Sequence, residues 1–264
     1  LLAHLYLHAA AQKRYQSSHT TAPKRSTKRP KVSQMALRGL MASLERTIAG
    51  LKVRDAPSQW SDYYSATNYS DSAFKAKRQT VTVMLAQISP RPKIVWDLGA
   101  NDGTFSQLAA NIGAYTVAFD IDPAAVELNF KNQITGKSTI LPLVQDFTNP
   151  SPDLGWAGGE RQSLVKRGPA DAALALALIH HLAIGHNIPL DSIAAFFAKL
   201  ANYLIIEFVP KSDSMTQRLL ASREDIFGDY SPRSFEAAFT QHFRQLNKQA
   251  VRGSQRVIYL YKAK

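Results

Sequence analysis

A short acidic run that contains two glycines offers the clearest candidate for chemistry in this sequence. It begins at Asp97, near the end of the predicted strand Ile94 to Leu98, continues through Gly99 and Asn101 to Gly103, and precedes a predicted helix. A turn of this kind between a strand and a helix brings the backbone close to a ligand and points helix N–H groups at it. The run therefore predicts a ligand site.

The spacing of the glycines argues against a dinucleotide ligand. The dinucleotide fingerprint has glycines at offsets zero, two and five, and counted from Gly99 these offsets fall on Gly99, Asn101 and Thr104. The carboxylate of Asp97 would repel phosphate, but it suits a positively charged ligand. S-adenosylmethionine (SAM) carries a sulfonium, an ammonium and a carboxylate where NAD carries two phosphates. The run therefore predicts that Asp97 attracts the cationic end of SAM, directly or through water.

Acids also follow the next two predicted strands. Asp120, with Ile121 beside it, can accept hydrogen bonds from both ribose hydroxyls. Asp122 is the alternative for that role, although its position before a proline also suits a helix cap. After the third strand, Asp146 can accept a bond from the adenine amino group, with Phe147 beside it. Three acids at the ends of three successive strands predict the remainder of a SAM site.

Candidates for catalysis follow the fourth and fifth predicted strands. Methyl transfer is an in-line displacement, so a protein mainly aligns the acceptor and excludes water. His181 and His180 follow the fourth strand, and either could take a proton from a hydroxyl acceptor as a general base. The alternative is that one of them is packed and the other is a surface residue. Glu207, near the end of the fifth strand, is the third candidate.

Upstream of the glycine run lie three tyrosines, Tyr63, Tyr64 and Tyr69. They could stack on the ligand as part of a lid, or they could form a small satellite core.

These candidates require a framework of alternating strands and helices. From residue 94 onward, short β-branched and aromatic runs alternate with helical stretches, which is typical of βαβ units and a doubly wound, mostly parallel α/β sheet. Predicted strands cover Ile94 to Leu98, Tyr115 to Phe119, Thr139 to Val144, Asp171 to Ile179, Tyr203 to Val209, Gln245 to Val251 and Arg256 to Tyr261. Predicted helices cover Thr104 to Ile112, Pro123 to Phe130 and Asp191 to Leu200, and another opens at Ser231-Pro232.

The fourth of these strands is made of strong helix formers. We nevertheless expect a strand, because the run is short, uniformly apolar and follows a Gly168-Pro169 break, as befits a central strand buried on both faces. The last two strands are expected to form an antiparallel hairpin at one edge.

Upstream of the sheet, the sequence predicts a helical extension. Apolar residues from Met35 to Leu51 recur at three- and four-residue spacings, which predicts an amphipathic helix that packs on another element, and a second helix is expected from Ser72 to Ile88. We therefore expect three segments. Residues 1–33 form a basic, partly disordered linker or the remnant of a longer chain, residues 34–89 form a helical lid or cap, and residues 90–264 form the SAM-binding catalytic domain.

The net charge of +12 is concentrated at the N-terminus. Residues 1–54 hold 11 Lys and Arg against the single acid Glu45. Such a segment favours anionic partners such as nucleic acid, although it can also simply keep the chain solvated. The absence of Cys excludes disulfides, thiolate metal sites and cysteine nucleophiles, and no metal is predicted. No apolar run approaches the roughly 20 residues of a membrane span, so a cytoplasmic location is expected.

The run from Val95 to Asp122, VWDLGANDGTFSQLAANIGAYTVAFDID, resembles the first two motifs of class I SAM-dependent methyltransferases, with Asn101 in place of a common middle glycine. More narrowly, the stretches QDFTNPSPDLGW, LALALIHHLAI and IIEFVPKSDS resemble a bacterial group of nodulation protein NoeA-like methyltransferases. This resemblance covers most of residues 35–261. It implies a Rossmann-like, seven-stranded sheet whose final strand is antiparallel.

Together these features predict a methyltransferase that moves a methyl group from SAM to a hydroxyl of a small molecule or glycan. Two alternatives stay open. One is an RNA or DNA methyltransferase that uses the basic N-terminal segment to hold phosphates. The other is a non-catalytic SAM-binding module. The acceptor and the oligomeric state are not specified by the sequence.

Overall fold

The computed structural model describes residues 6–17, 33–51, 70–134 and 138–264. The chain divides into two compact units, Leu1–Asp55 and Ala56–Lys264. The described part of the first unit contains two helices, α1 (Leu7–Ser17) and α2 (Gln34–Ala49). None of these described helices, nor any in the second unit, has the length and apolar character needed to cross a membrane.

Helix α2 confirms the amphipathic helix that the sequence predicts. The hydroxyl of Ser33 accepts the N–H of Ala36 at 3.1 Å and so caps its first turn. None of the residues of α2 is buried. Its apolar residues Met35 and Ile48 are exposed, and so is Leu51, which follows the helix.

The second unit is an α/β domain. Its helices are α3 (Asp71–Ala86), α4 (Ser106–Asn111), α5 (Pro123–Ile134), α6 (Leu164–Arg167), α7 (Leu190–Leu200), α8 (Ser214–Leu220) and α9 (Pro232–His242). Its strands are β1 (Ile94–Leu98), β2 (Tyr115–Asp120), β3 (Ile140–Val144), β4 (Ala170–Ala175), β5 (Ala201–Phe208), β6 (Phe243–Ala250) and β7 (Val257–Ala263). A π-helical turn, His181–Gly185, follows β4.

The seven strands form one sheet in the order β3-β2-β1-β4-β5-β7-β6. Strands β1 to β5 are parallel, whereas β7 runs antiparallel to β5 and β6 antiparallel to β7. This architecture confirms the doubly wound, mostly parallel sheet and the terminal hairpin that the sequence predicts. The strand order reverses next to β1, and ligands of such sheets bind outside the carboxyl ends of the strands at that point.

Both faces of the sheet are covered, which explains why most positions of its central strands are apolar. Alternate residues of a strand face opposite sides. On one side Val95, Leu174 and Ile205 pack with α3 and α4. On the other side Trp96, Ala175, Ile206 and their neighbours pack with α7 and α9.

The fourth strand is shorter than the sequence predicts. It ends at Ala175, so the predicted strand end at Ile179 is wrong by four residues. The chain leaves the sheet at Ala177, which has a φ of 51°, and Ile179 begins the turn that contains the two histidines. The predicted strand was too long because the residues after Ala175 are also apolar, and Leu176 and Ile179 are buried although they lie outside the strand.

Candidate active site

The glycine run after β1 forms a tight loop at the carboxyl end of that strand. Gly99 and Gly103 have φ angles of 79° and 84°, in the left-handed region that glycine adopts without steric cost. Asn101 at the middle position has a φ of 50°, and Asn tolerates this region better than most residues. The N–H groups of Gly99 and Ala100 donate to the carbonyl of Phe119 at 2.9 and 2.8 Å, which ties the loop to the end of β2.

Asp120, the last residue of β2, braces the same loop. Its Oδ2 accepts the N–H of Asn101 at 2.8 Å, and its Oδ1 accepts the N–H of Asp122 at 2.9 Å. The side chain of Asp122 accepts the N–H of Ala124 at 2.9 Å in the first turn of α5, as a helix cap does. Of the two candidates for the ribose, Asp120 lines a cavity at this edge of the sheet, and Asp122 is not among its lining residues.

A cavity of about 220 Å³ lies at the carboxyl ends of β1, β2 and β3. Most of the predicted cofactor residues line it, namely Asp97, Gly99, Asn101, Asp120, Ile121, Asp146 and Phe147. His181 lines it as well. The strands position these side chains, because each of the three acids lies within two residues of the carboxyl end of a strand.

Three predicted site residues lie outside the cavity lining. Gly103 packs against α5, where an added Cβ would collide with the side chain of Asn129. His180 is fully buried, and neither of its ring nitrogens has a hydrogen-bond partner in the described part of the chain. Glu207 is fully buried beside Lys77. The predicted lid residues Tyr63, Tyr64 and Tyr69 lie outside the described residues.

The structure adds lining residues that the sequence reasoning missed. Helix α3 contributes Phe74 and Lys77, and the loop before α4 contributes Phe105. Other additions are Gln145, Thr148, Leu176, Ala177, Leu178, Leu182 and His186. Gln145 and Thr148 are next to the predicted residues Asp146 and Phe147, so the strand-end pattern could have found them. No local pattern identifies Lys77, which is brought to the cavity by the packing of α3 on the sheet.

The pKa values of Asp97, Asp120 and Asp146 are shifted in different directions by their surroundings. Burial raises the pKa of Asp97 to about 7, although the Ser106 hydroxyl donates to its Oδ2 at 2.6 Å and opposes the shift. Burial also raises the pKa of Asp120, against the N–H bonds that it accepts. At Asp146 burial acts in the same direction, but bonds from the Thr148 hydroxyl and N–H, each 2.7 Å long, outweigh it and lower the pKa. A cation beside Asp97 would favour its ionised form.

His181 is a neutral imidazole near pH 7. Burial lowers its pKa to about 4, and the charges of His186 and Arg256 act in the same direction. Its ring centroid lies 4.2 Å from that of His180, whose pKa burial also lowers well below the usual value. A neutral imidazole has one nitrogen that accepts a hydrogen bond, whereas a pKa this low makes it a weak base.

Among curated proteins, the chain is similar to nodulation protein NoeA of Rhizobium meliloti (strain 1021). The two are 40% identical over 262 residues, which cover 97% of this chain and 55% of NoeA. The chain is a homologue of NoeA. It spans about half the length of that curated relative. No protein-family model matches the sequence.

Two solved structures show the fold of this NoeA homologue. The N-methyltransferase NodS from Bradyrhizobium japonicum WM9 is 10% identical, with coverage of 73% of this chain and 97% of NodS and a TM-score of 0.52. Magnesium protoporphyrin IX methyltransferase (ChlM) from Synechocystis PCC 6803, with bound SAH, is 17% identical, with coverage of 88% and 97% and a TM-score of 0.51. The Rossmann-like methyltransferase fold is thereby confirmed.

Proposed function

We propose that the chain is a SAM-dependent methyltransferase whose cofactor binds in the cavity at the carboxyl ends of β1, β2 and β3. The observation that carries the proposal is the convergence of Asp97, Asp120 and Asp146 on this one cavity beside the glycine loop. The fold and the similarity to NoeA support it. The cavity suits the cofactor, because a buried carboxylate with a raised pKa favours a cationic group and Gly99, which has no side chain, lines the wall.

Each end of the cofactor has a matching group in the cavity. Asp120 would accept hydrogen bonds from the ribose hydroxyls, since a carboxylate has lone pairs beyond the two that its backbone bonds use. Asp146, beside the buried ring of Phe147, would accept a bond from the adenine amino group. Asp97 would face the ammonium of the amino-acid end. When bound, SAM supplies the electrophilic methyl group on its sulfonium.

His181 is the residue best suited to align the acceptor. It lines the cavity, and its low pKa keeps it neutral, so it can accept a hydrogen bond from a hydroxyl and orient an oxygen lone pair towards the methyl group. As the oxygen–methyl bond forms and the sulfonium–methyl bond breaks, the hydroxyl becomes far more acidic than an imidazolium, so His181 can receive its proton. A neutral group also adds no repulsion to the nearby sulfonium. A hydroxyl of a small molecule or glycan is therefore the acceptor class that we propose.

Methyl transfer to hydroxyl compounds tests this function. Wild-type protein should convert SAM to SAH with a matching 14 Da gain in a sugar or polyol acceptor. His181→Ala should slow turnover by about 10- to 100-fold without changing SAM affinity, because positioning contributes mainly to the chemical step. His242→Ala, a change in α9 away from the cavity, is the matched control and should leave turnover unchanged.

Turnover in His181→Ala equal to that of the wild type would contradict the role of His181. Tight SAM binding without transfer to any acceptor would instead favour the non-catalytic module.

A further inference from the structure

Lys77 is a buried lysine at the wall of the cofactor cavity. It lies on α3 and is 3% exposed, and its Nζ stands 4.8 Å from the centre of the Phe105 ring. It also lines the cavity together with Asp97. A buried ammonium is costly unless it is paired, so its presence at a ligand site needs a physical reason.

The pairing partner of Lys77 comes from the sheet. Its Nζ donates to Oε2 of Glu207 at 2.7 Å, and both side chains are almost fully buried. Strand periodicity explains the contact. Asp97 and Glu207 each stand two positions after a residue of the α3-facing cluster, Val95 and Ile205, so all of them face α3. Lys77 therefore pairs with Glu207 behind the cavity wall and lies on the same side of the sheet as Asp97.

Behind Glu207 the network continues with two more charges. Arg256 approaches Oε1 of Glu207 at 3.9 Å and donates to both carboxylate oxygens of Asp213, at 2.7 and 3.0 Å. All four residues are buried, and their charges balance. Buried ion networks of this kind add little net stability compared with apolar packing, but they fix side chains in one position. The network therefore holds the Lys77 ammonium in place at the cavity wall.

We propose that Lys77 binds the carboxylate of the cofactor's amino-acid end and that Glu207 is a positioning residue that orients Lys77. This inference rests on the proposed function. The amino-acid end of SAM carries one ammonium and one carboxylate, and this part of the cavity presents one carboxylate, Asp97, and one ammonium, Lys77. The pair recognises a zwitterion. An ammonium has three donors, so a bond to a ligand carboxylate adds to the bond with Glu207.

Decarboxylated SAM is the probe that isolates this contact, because it keeps the adenosine, the sulfonium and the amine and lacks only the carboxylate. Wild-type protein should bind SAM about 10- to 100-fold more tightly than decarboxylated SAM by calorimetric titration. In Lys77→Met the affinities for SAM and decarboxylated SAM should differ by no more than about threefold, because only the binding of SAM becomes weaker. Lys75→Met changes an exposed lysine of the same helix and should keep the wild-type preference.

A second variant shows whether a loss of binding in Lys77→Met comes only from misfolding. Lys77→Met leaves Glu207 buried beside an apolar group, so Lys77→Met combined with Glu207→Gln removes both charges together. The double variant should also lose the preference while binding decarboxylated SAM normally. Glu207→Gln alone should reduce the preference by several-fold, because Lys77 loses its ionic partner.

The possible outcomes distinguish a failure of the proposed function from a failure of the role assigned to Lys77. If wild-type protein binds neither compound, the proposed function fails. If wild-type protein binds both compounds equally, or if the Lys77 variants keep the preference for SAM, the function stands and the role of Lys77 is overturned. If the Lys77 variants weaken both compounds equally, Lys77 supports only the shape of the cavity, which also overturns the inference.

Discussion

At the residue scale, the acids at the strand ends could be predicted and their partners could not. Asp97, Asp120 and Asp146 each follow a recognisable apolar run, so local sequence is enough to bring them to one edge of a parallel sheet. Lys77 and Glu207 are 130 positions apart, and only packing of α3 on β5 joins them. Sequence reasoning chose Glu207 as a catalytic candidate for its strand-end position, whereas the structure gives it a buried ion pair.

The raised pKa of Asp97 predicts how cofactor binding depends on pH. The cationic end of SAM favours the ionised carboxylate, which in the free protein predominates only above a pH of about 7. Affinity should therefore be about 20-fold weaker at pH 5.5 than at pH 7.5, and binding at pH 6.5 should release protons. Calorimetry in buffers of different ionisation enthalpy measures both effects. Asp97→Asn should abolish the pH dependence, and a wild-type affinity that is constant over this range would contradict the assignment.

At the element scale, the two glycines on either side of α4 are required for different reasons, which the sequence does not distinguish. Gly103 and Gly113 both have positive φ angles, 84° and 88°. An added Cβ at Gly103 would collide with Asn129, whereas nothing lies within 4 Å of the Cβ position at Gly113. The first glycine is therefore required by close packing on α5 as well as by its backbone angle. The second is required by its backbone angle alone.

This difference predicts unequal losses of stability. Gly113→Ala should lower the free energy of unfolding by about 1 kcal/mol, the cost of a left-handed alanine. Gly103→Ala should lower it by about 2–4 kcal/mol, because overpacking adds to that cost, and should weaken SAM binding through the shifted loop. Urea unfolding measures the pair. Equal losses would mean that the contact with Asn129 relaxes without cost.

At the scale of the whole molecule, the order of elements was the most predictable feature. Alternating apolar and helical runs are sufficient to indicate βαβ units, and the handedness and layering of such units leave few arrangements. The end of β4 was not predictable, because apolar residues in a strand and apolar residues under a loop look alike in sequence. The exposed stripe of α2 shows the same limit, since periodicity predicts a helix and does not identify its partner.

The distribution of charge predicts the effect of removing the N-terminal segment. All lining residues of the cavity lie between Phe74 and His186, whereas residues 1–33 hold much of the excess positive charge. Deletion of residues 1–33 should leave SAM affinity unchanged within about twofold, because the binding groups are untouched. Transfer to a hydroxyl acceptor should also persist. A loss of transfer that high salt reproduces in the intact chain would favour the nucleic-acid alternative.

The most direct test of the cofactor site compares two acids that each accept two backbone N–H bonds. Asp120 does so beside the cavity, whereas Asp171 accepts the N–H groups of Lys93 and Ile94, at 2.8 and 2.9 Å, at the opposite end of β1. Titration of SAM should give micromolar affinity for the wild type, a loss of at least about 10- to 100-fold for Asp120→Ala, and wild-type affinity for Asp171→Ala. Equal affinity in Asp120→Ala and wild type, or no binding by the wild type, would contradict the account.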